Sequence, residues 1–183
     1  MPKRVGIYAG SYDPFTYGHL SVVRGACKVF DHVIIAIGVN SRKAGVFKPE
    51  QRRTLIEDYL DRAMIDESGL ARKCSIDIFE GLLIEYARTH EFSTLIRGLR
   101  AVSDFEAEMA IADANRKQEP TIQTIFIPAE ADNAFVSSST VKELALYEGS
   151  NLSPYVSDTV AEELRRALRE QHKLSSPAVT EFK

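Results

Sequence analysis

The chain has 183 residues, of which 44% are hydrophobic and 27% charged, and its formal net charge is −3. This composition is typical of one globular domain and excludes a disordered chain. The acidic balance argues against a general nucleic-acid-binding protein, whose surface charge would be basic. Two cysteines are too few for a disulfide scaffold or a four-thiolate zinc site.

The N-terminal residues Met-Pro-Lys-Arg lead directly into an apolar segment, without the hydrophobic core of a signal peptide. No apolar run approaches the length that spans a membrane. We therefore expect a cytoplasmic protein with reduced thiols and with neither a membrane nor a nucleic acid as partner.

Short apolar runs of strand length alternate with amphipathic helical segments along the chain. The predicted strands cover residues 5–9, 32–39, 75–79, 93–96 and 121–127. Six helices are predicted. The first begins after residue 16 and the second begins at Pro49. The other four cover 81–90, Ser103 to about Gln118, 137 to about 147, and 162–171. Ser103, with Glu106 three residues later, has the pattern of a helix capping box.

This alternation predicts an α/β fold made of βαβ units with right-handed crossovers. We expect a Rossmann-like open sheet of about five parallel strands, helices on both faces and additional C-terminal helices. The consecutive apolar residues of 32–39 are typical of a strand buried on both faces. Residues 1–172 are expected to form a single domain, and residues 173–183 a flexible tail.

Four polar segments, 10–19, 40–45, 97–100 and 129–139, follow predicted strands. Ligands of such sheets bind beyond the carboxyl ends of the strands, where the strand order reverses. We therefore expect these four segments to converge on one site.

The polar segments contain hydrogen-bond donors and cationic side chains, without an obvious nucleophile. The chain has no G-x-G-x-x-G, P-loop, G-x-S-x-G or HExxH motif. Such a set suits the attack of a phosphate on the α-phosphorus of a nucleoside triphosphate, because a phosphate is already an anion and needs no general base. The residues concerned are Ser11, Thr16, His19, Lys43, Arg97, Arg100 and Ser137 to Ser139.

Three motifs carry a resemblance to a known family: GSYDPFTYGH from residue 10, RGLRAVSDFEAE from residue 97 and FVSSSTVKE from residue 135. Together with a lysine after the second strand, they resemble the bacterial phosphopantetheine adenylyltransferases of the nucleotidyltransferase superfamily. The resemblance covers about residues 4–170. It implies transfer of the adenylyl group of ATP to 4′-phosphopantetheine, giving dephospho-coenzyme A and pyrophosphate.

The resemblance also implies roles for individual residues. His19 corresponds to the transition-state histidine, Lys43 to a lysine shared by the acceptor phosphate and the reacting phosphate, and Arg97 to the arginine for the acceptor phosphate. The implied ATP site comprises Ser11, Tyr12, His19, Gly98, Leu99, Arg100, Glu108, Asn133, Ala134, Phe135, Val136, Ser137, Ser138 and Ser139. The implied acceptor site comprises Ser11, Lys43, Leu83 and Arg97. Members of this family use Mg²⁺ held largely by phosphates and water, so we expect no metal ligands from the protein, and they are commonly homohexamers.

Several positions depart from the family pattern. Ala107 stands where a tyrosine is usual, Asn133 where a tryptophan is common, and Ala44-Gly45 where Lys-Pro is usual. Two alternatives therefore stay open: a related transferase with another acceptor, such as nicotinate mononucleotide or a CTP-dependent alcohol phosphate, and a nucleotide-binding regulator without catalysis. Arg97 and Arg100 also have a purely structural interpretation, as ion-pair partners of Asp104 and Glu106.

Overall fold

Five parallel strands form a single sheet in the computed structural model, which describes residues 3–40, 45–66, 71–100, 102–133 and 136–175. The strand order is β3-β2-β1-β4-β5. The strands are β1 (Val5–Gly10), β2 (His32–Val39), β3 (Cys74–Glu80), β4 (Thr94–Leu99) and β5 (Gln123–Pro128). The predicted open parallel sheet is confirmed.

Six α-helices lie in the described part of the chain. They are α1 (Tyr17–Val29), α2 (Pro49–Asp66), α3 (Leu83–Thr89), α4 (Val102–Gln118), α5 (Ser138–Ala145) and α6 (Asp158–Ser175), with short 3-10 turns at Ala71–Lys73 and Ala131–Asn133. None of these helices combines the length and the apolar character that crossing a bilayer requires.

Helices cover both faces of the sheet, as expected from the consecutive apolar residues in its central strands. On one face, Tyr8, Ile35 and Ile96 pack in a core that also includes side chains of α1, α2, α5 and α6. On the other face, Ile34 and Leu95 pack with side chains of α3. Helix α4 contacts β4 and β5.

The position of the functional site follows from the strand order. β1 is central and pairs with both β2 and β4. The chain first builds the sheet from β1 towards β3, and then returns to build it from β4 towards β5. The strand order therefore reverses between β1 and β4, where a parallel sheet leaves a crevice at its carboxyl edge.

Some boundaries differ from the sequence prediction. β4 continues to Leu99, which pairs with Pro128 of β5, so Arg97 and Gly98 lie on a strand and not in a loop. Helix α3 begins at Leu83 and not at Gly81, because Gly81 has a left-handed φ of 85°.

The ends of α4 and α6 also differ from those predicted. Helix α4 begins at Val102, so Ser103 is inside its first turn and is not the predicted cap. Helix α6 spans Asp158–Ser175, which exceeds the predicted 162–171 at both ends and extends into the segment predicted as a tail. The predicted tail beyond residue 175 lies outside the described residues.

Candidate active site

A cavity of about 300 Å³ lies at the crevice between β1 and β4. It is lined by the end of β1 and its loop, the first turn of α1, the end of β4, one residue of α4 and the start of α5. Ten of the predicted site residues line it: Ser11, Tyr12, His19, Arg97, Gly98, Arg100, Glu108, Ser137, Ser138 and Ser139. Three of the four polar segments therefore converge here, as the sequence predicted.

Other predicted site residues lie elsewhere or outside the described part of the chain. Leu83, the first residue of α3, packs against the core of the second face. Val136 is buried in the core of the first face, and Leu99 is the half-buried end of β4. Lys43, Ala134 and Phe135 are outside the described residues, as is the side chain of Asn133.

The loop after β1 is held in an unusual conformation by its own aromatic side chains. Tyr12 has a positive φ of 49°, which is strained for a bulky residue. Its ring is buried 5.6 Å from that of Tyr8 and 5.5 Å from that of Phe15. Its hydroxyl donates a hydrogen bond of 2.6 Å to the carbonyl oxygen of Tyr8. These contacts maintain the strained backbone and give the cavity a rigid wall.

His19 is oriented by the cap of α1. Thr16, the capping residue, accepts a hydrogen bond from the His19 N–H, and its own N–H donates to Nδ1 of His19 over 3.1 Å. Because Nδ1 accepts this bond, it carries no proton, and the proton of a neutral imidazole is on Nε2. The capping box thus selects the tautomer that has a donor at Nε2.

The imidazole of His19 is neutral at physiological pH. Burial among aromatic rings, with Tyr12 at 5.1 Å and Phe15 at 5.3 Å, together with the nearby charge of Arg100, lowers its pKa to about 3. The family resemblance implies that His19 contacts the transition state. With this pKa the ring is a neutral hydrogen-bond donor.

The two arginines of the cavity are paired with carboxylates of α4. Nε of Arg97 donates to Oε2 of Glu108, and Nε of Arg100 donates to Oδ2 of Asp104 over 3.1 Å. The predicted partner Asp104 is confirmed for Arg100, whereas Arg97 pairs with Glu108 and not with Glu106. Both arginines still line the cavity, so an arriving anion would compete with carboxylates for guanidinium groups that are already in place.

Hydrogen bonds of the serines at positions 137 to 139 cap helix α5 and connect it to the loop after β1. Ser137 caps α5 by accepting a hydrogen bond of 3.1 Å from the N–H of Thr140. Ser138 donates from its hydroxyl to the carbonyl oxygen of Pro14 over 2.8 Å. The first turn of α5 therefore faces the cavity, where its N–H groups and helix dipole favour an anion.

Gly98 provides the space on the β4 side of the cavity. A Cβ atom at this position would lie 2.8 Å from Cγ2 of Val22 and 3.2 Å from the hydroxyl oxygen of Tyr8. Only glycine fits beside α1 without displacing these side chains.

Asp13 is an organising residue that the sequence analysis did not identify. Its buried carboxylate accepts hydrogen bonds of 2.9 Å from the N–H groups of Val46 and Phe47. It also lies 3.5 Å from Nε of Arg52 and 3.5 Å from Nζ of Lys142. No local pattern could have indicated this role, because the N–H groups that Asp13 binds lie more than 30 residues further along the chain.

Arg52 completes the connection between the loops after β1 and β2. Its buried guanidinium donates to the carbonyl oxygens of Phe47 over 2.9 Å and of Ser11 over 3.0 Å. A Cβ atom at Gly45 would lie 2.0 Å from its Nη2 atom. Asp13, Arg52 and Ser11 also line a second cavity, of about 740 Å³, which adjoins the first at Ser11.

Among the described residues that line the cavity, the carboxylates form no cluster of metal ligands. Within the described residues, no group of three His, Cys, Asp or Glu side chains is placed to hold a metal ion. Glu108, the carboxylate that lines the first cavity, is paired with Arg97.

Comparisons with known proteins identify the family of the chain. Residues 7–144 match the family model described as cytidylyltransferase-like. A phosphopantetheine adenylyltransferase of a Wolbachia strain from Brugia malayi is 41% identical over 162 residues, which cover 88% of this chain and 92% of the relative. A phosphopantetheine adenylyltransferase of Thermotoga neapolitana is 40% identical, covering 92% of this chain and 97% of the relative.

Solved structures share the fold at lower sequence identity. A putative nicotinate-nucleotide adenylyltransferase from Vibrio parahaemolyticus has a TM-score of 0.62 at 19% identity, covering 96% of this chain and 98% of that chain. A nicotinic acid mononucleotide adenylyltransferase from Plasmodium falciparum has a TM-score of 0.58 at 15% identity, covering 90% and 96% of the two chains. At these identities the likeness concerns the fold alone.

Replacing Asp13 by Asn should destabilise the protein by about 2–4 kcal/mol, because a buried guanidinium loses its counter-charge and one N–H loses its acceptor. Urea unfolding monitored by circular dichroism measures this change. Asp31→Asn is the matched control, since Asp31 forms an exposed ion pair with Arg4 at 2.9 Å and should be nearly neutral. Equal effects of the two substitutions would contradict the organising role of Asp13.

The imidazole of His19 should remain in the neutral Nε2–H form on acidification from about pH 8 to about pH 5, well above its pKa of about 3. Nitrogen-15 NMR of the histidine side chains measures the tautomer and the titration directly. A His19 titration with a midpoint near pH 6.5, the ordinary histidine pKa, would contradict this account.

The lowered pKa of His19 also makes the stability of the protein depend on pH. Below about pH 6.5 the unfolded chain binds a proton that the folded imidazole does not, so the free energy of unfolding should decline as the pH falls towards 3. In His19→Asn, which has no such group, the decline should be smaller.

Proposed function

The chain belongs to the phosphopantetheine adenylyltransferases of the cytidylyltransferase-like family, and on this premise we propose that it transfers the adenylyl group of ATP to 4′-phosphopantetheine. The products would be dephospho-coenzyme A and pyrophosphate. The observation that carries the proposal is the convergence of a neutral histidine donor, two arginines and a serine-lined helix start on one cavity at the strand-order reversal.

The proposed reaction needs alignment and charge stabilisation more than acid–base chemistry. A phosphate oxygen of the acceptor attacks the α-phosphorus of ATP, a new P–O bond forms, and the bond to the β-phosphate breaks as pyrophosphate leaves. No proton has to be removed from the attacking oxygen. The protein therefore has to hold two anions in line and to donate hydrogen bonds to the oxygens on which charge accumulates.

We assign the α-phosphate contact to His19. Its Nδ1 is occupied by the Thr16 N–H, so Nε2–H is the part of the ring left to donate towards the cavity. A neutral donor held by a helix cap changes little when charge develops, which favours the transition state without strong binding of the ground state. Arg100 beside it would supply the positive charge that the neutral ring lacks.

We assign the acceptor phosphate to Arg97, with Ser11, Lys43 and Leu83 as further acceptor contacts by family resemblance. Arg97 lies on β4 directly across the reversal from β1, and its guanidinium suits a phosphate because it can donate two parallel hydrogen bonds. Ser11 lies where the two cavities adjoin, which is compatible with contacts to both substrates.

The triphosphate and nucleoside are assigned to the remaining residues of the predicted ATP site. Arg100 and the start of α5 at Ser137 to Ser139 offer a cation, hydroxyls and a helix N-terminus for the β- and γ-phosphates. Further contacts to ATP by resemblance are Ser11, Tyr12, Gly98, Leu99, Glu108 and the segment Asn133, Ala134, Phe135 and Val136.

We propose that Mg²⁺ arrives with ATP as part of the substrate. Magnesium retains water readily and is often bound through substrate phosphates with few protein ligands. A cavity of donors and cations, in which Glu108 is engaged by Arg97, suits a metal held by the triphosphate.

We also propose a cytoplasmic homo-oligomer, a hexamer by family resemblance. Helix α4 supports association, because none of its residues 104–118 is fully buried, and Phe105, Met109 and Ile111 are exposed. Light scattering measures the mass in solution, and a monomer at micromolar concentration would contradict the proposal.

The acceptor is tested by coupled pyrophosphate release with ATP and a panel of acceptors. We expect turnover with 4′-phosphopantetheine, with dephospho-coenzyme A formed in equal amount to pyrophosphate, and none with nicotinate mononucleotide or with CTP and an alcohol phosphate. Turnover only with another acceptor would establish the rival transferase. Absence of turnover with every acceptor, in a protein that still binds ATP, would favour the non-catalytic regulator.

Steady-state kinetics of two double variants, Arg97→Ala/Glu108→Ala and Arg100→Ala/Asp104→Ala, should distinguish the substrates that the two arginines bind. Each pair removes one ion pair, so no unpaired carboxylate remains to repel the substrates. The first should raise the KM for the acceptor roughly ten-fold or more relative to Glu108→Ala, and the second should do so for ATP relative to Asp104→Ala. Equal losses for both substrates in both variants would contradict the assignment.

A further inference from the structure

Two thiols lie side by side at the end of the sheet opposite the cavity. Cys27 is in the last turn of α1, Cys74 is the first residue of β3, and the chain has no other cysteine. Their Sγ atoms are 3.6 Å apart and share a hydrogen bond. Cys27 is 5% exposed and Cys74 is half-buried, so the pair lies just beneath the surface.

We propose that Cys27 and Cys74 are a redox-modification site, where a small oxidant of the peroxide class forms a reversible intramolecular disulfide. The sulfurs are already in contact, and a disulfide requires them to approach to about 2.05 Å. The two residues are on separate elements, 47 positions apart in the chain, so the fold and not the local sequence brings them together. Disulfides in reducing compartments are usually transient and redox-sensing.

The surroundings make the two sulfurs chemically different. The hydrogen bond between the two sulfurs and the nearby ammonium of Lys73 lower the pKa of Cys27. Nζ of Lys73 is held there by a 2.8 Å hydrogen bond to the carbonyl oxygen of Cys27. The same thiol–thiol bond, together with burial, raises the pKa of Cys74. These opposite shifts favour Cys27 as the attacking sulfur and Cys74 as the resolving sulfur.

The oxidation proceeds in two balanced steps. The Cys27 thiolate attacks one oxygen of hydrogen peroxide, the O–O bond breaks, and the departing hydroxide takes a proton to become water, which leaves a sulfenic acid. The Cys74 sulfur then attacks the sulfenic sulfur, the S–O bond breaks, and the hydroxyl leaves as water with the Cys74 proton. Two thiols are oxidised to one disulfide, and one peroxide is reduced to two waters.

The location of the pair predicts what the bond would change. Cys74 lies opposite Val33, near the start of β2, whereas the cavity is at the carboxyl ends of β1 and β4. A disulfide here would tie α1 to the edge strand β3 and restrict the unfolded chain. We therefore expect a more stable protein whose active site is not distorted.

The test treats the purified full chain with a slight excess of hydrogen peroxide. Titration of the denatured protein with Ellman's reagent should fall from two thiols to none, and dithiothreitol should restore both. Non-reducing peptide mapping should find a bond between the peptides of Cys27 and Cys74 within one chain. The Tm should rise by about 5 °C or more, and pyrophosphate release should keep at least half of its rate.

The single variants Cys27→Ala and Cys74→Ala are the matched controls, and neither should show the oxidant-dependent rise in Tm. Two persistent thiols, disulfide-linked dimers, or oxidation of Cys27 to sulfinic acid in the wild-type protein would overturn the proposal. The thiol count and the peptide map do not depend on the proposed enzymatic activity, so the two proposals can fail separately.

Discussion

A buried carboxylate, that of Asp13, connects the loops on which the candidate site is built. It accepts the N–H groups of Val46 and Phe47 after β2, and it lies between the cations of Arg52 and Lys142. A buried charge is costly unless it is paired and hydrogen-bonded, and here both conditions are met. The loop after β1, residues 46–47 and helix α5 are thereby held in one arrangement at the carboxyl edge of the sheet.

The chemistry of the site then depends on how the same β1 loop begins α1. The aromatic packing of Tyr12 fixes the strained turn, and the Thr16 cap fixes the ring of His19. Capping and tautomer are consequences of one local structure, because the bond that satisfies the Thr16 N–H also leaves the imidazole proton on Nε2. Positive charge comes from Arg97 and Arg100, which are held by carboxylates of α4 until an anion competes for them.

The sequence predicted the sheet and much of the site, because apolar runs mark buried strands and polar segments after them mark the carboxyl edge. The sequence prediction failed where contacts between residues distant in sequence determine the local structure. Strand β4 extends through Arg97 because β5 pairs with it, and the neutrality of His19 depends on burial and on Arg100, which is distant in sequence. The ion pairs of Asp13 join it to Arg52 and Lys142, which are far apart in the sequence and are related by no local pattern.

The most direct test of this account is the steady-state kinetics of His19→Asn. The amide oxygen of Asn can replace Nδ1 as the acceptor for the Thr16 N–H, so the cap is retained while the Nε2 donor is removed. We expect kcat to fall by roughly 10²–10³ with the KM for ATP nearly unchanged, because the lost bond acts on the transition state. An unchanged kcat, or a loss confined to the KM for ATP, would contradict the central role of the neutral histidine donor.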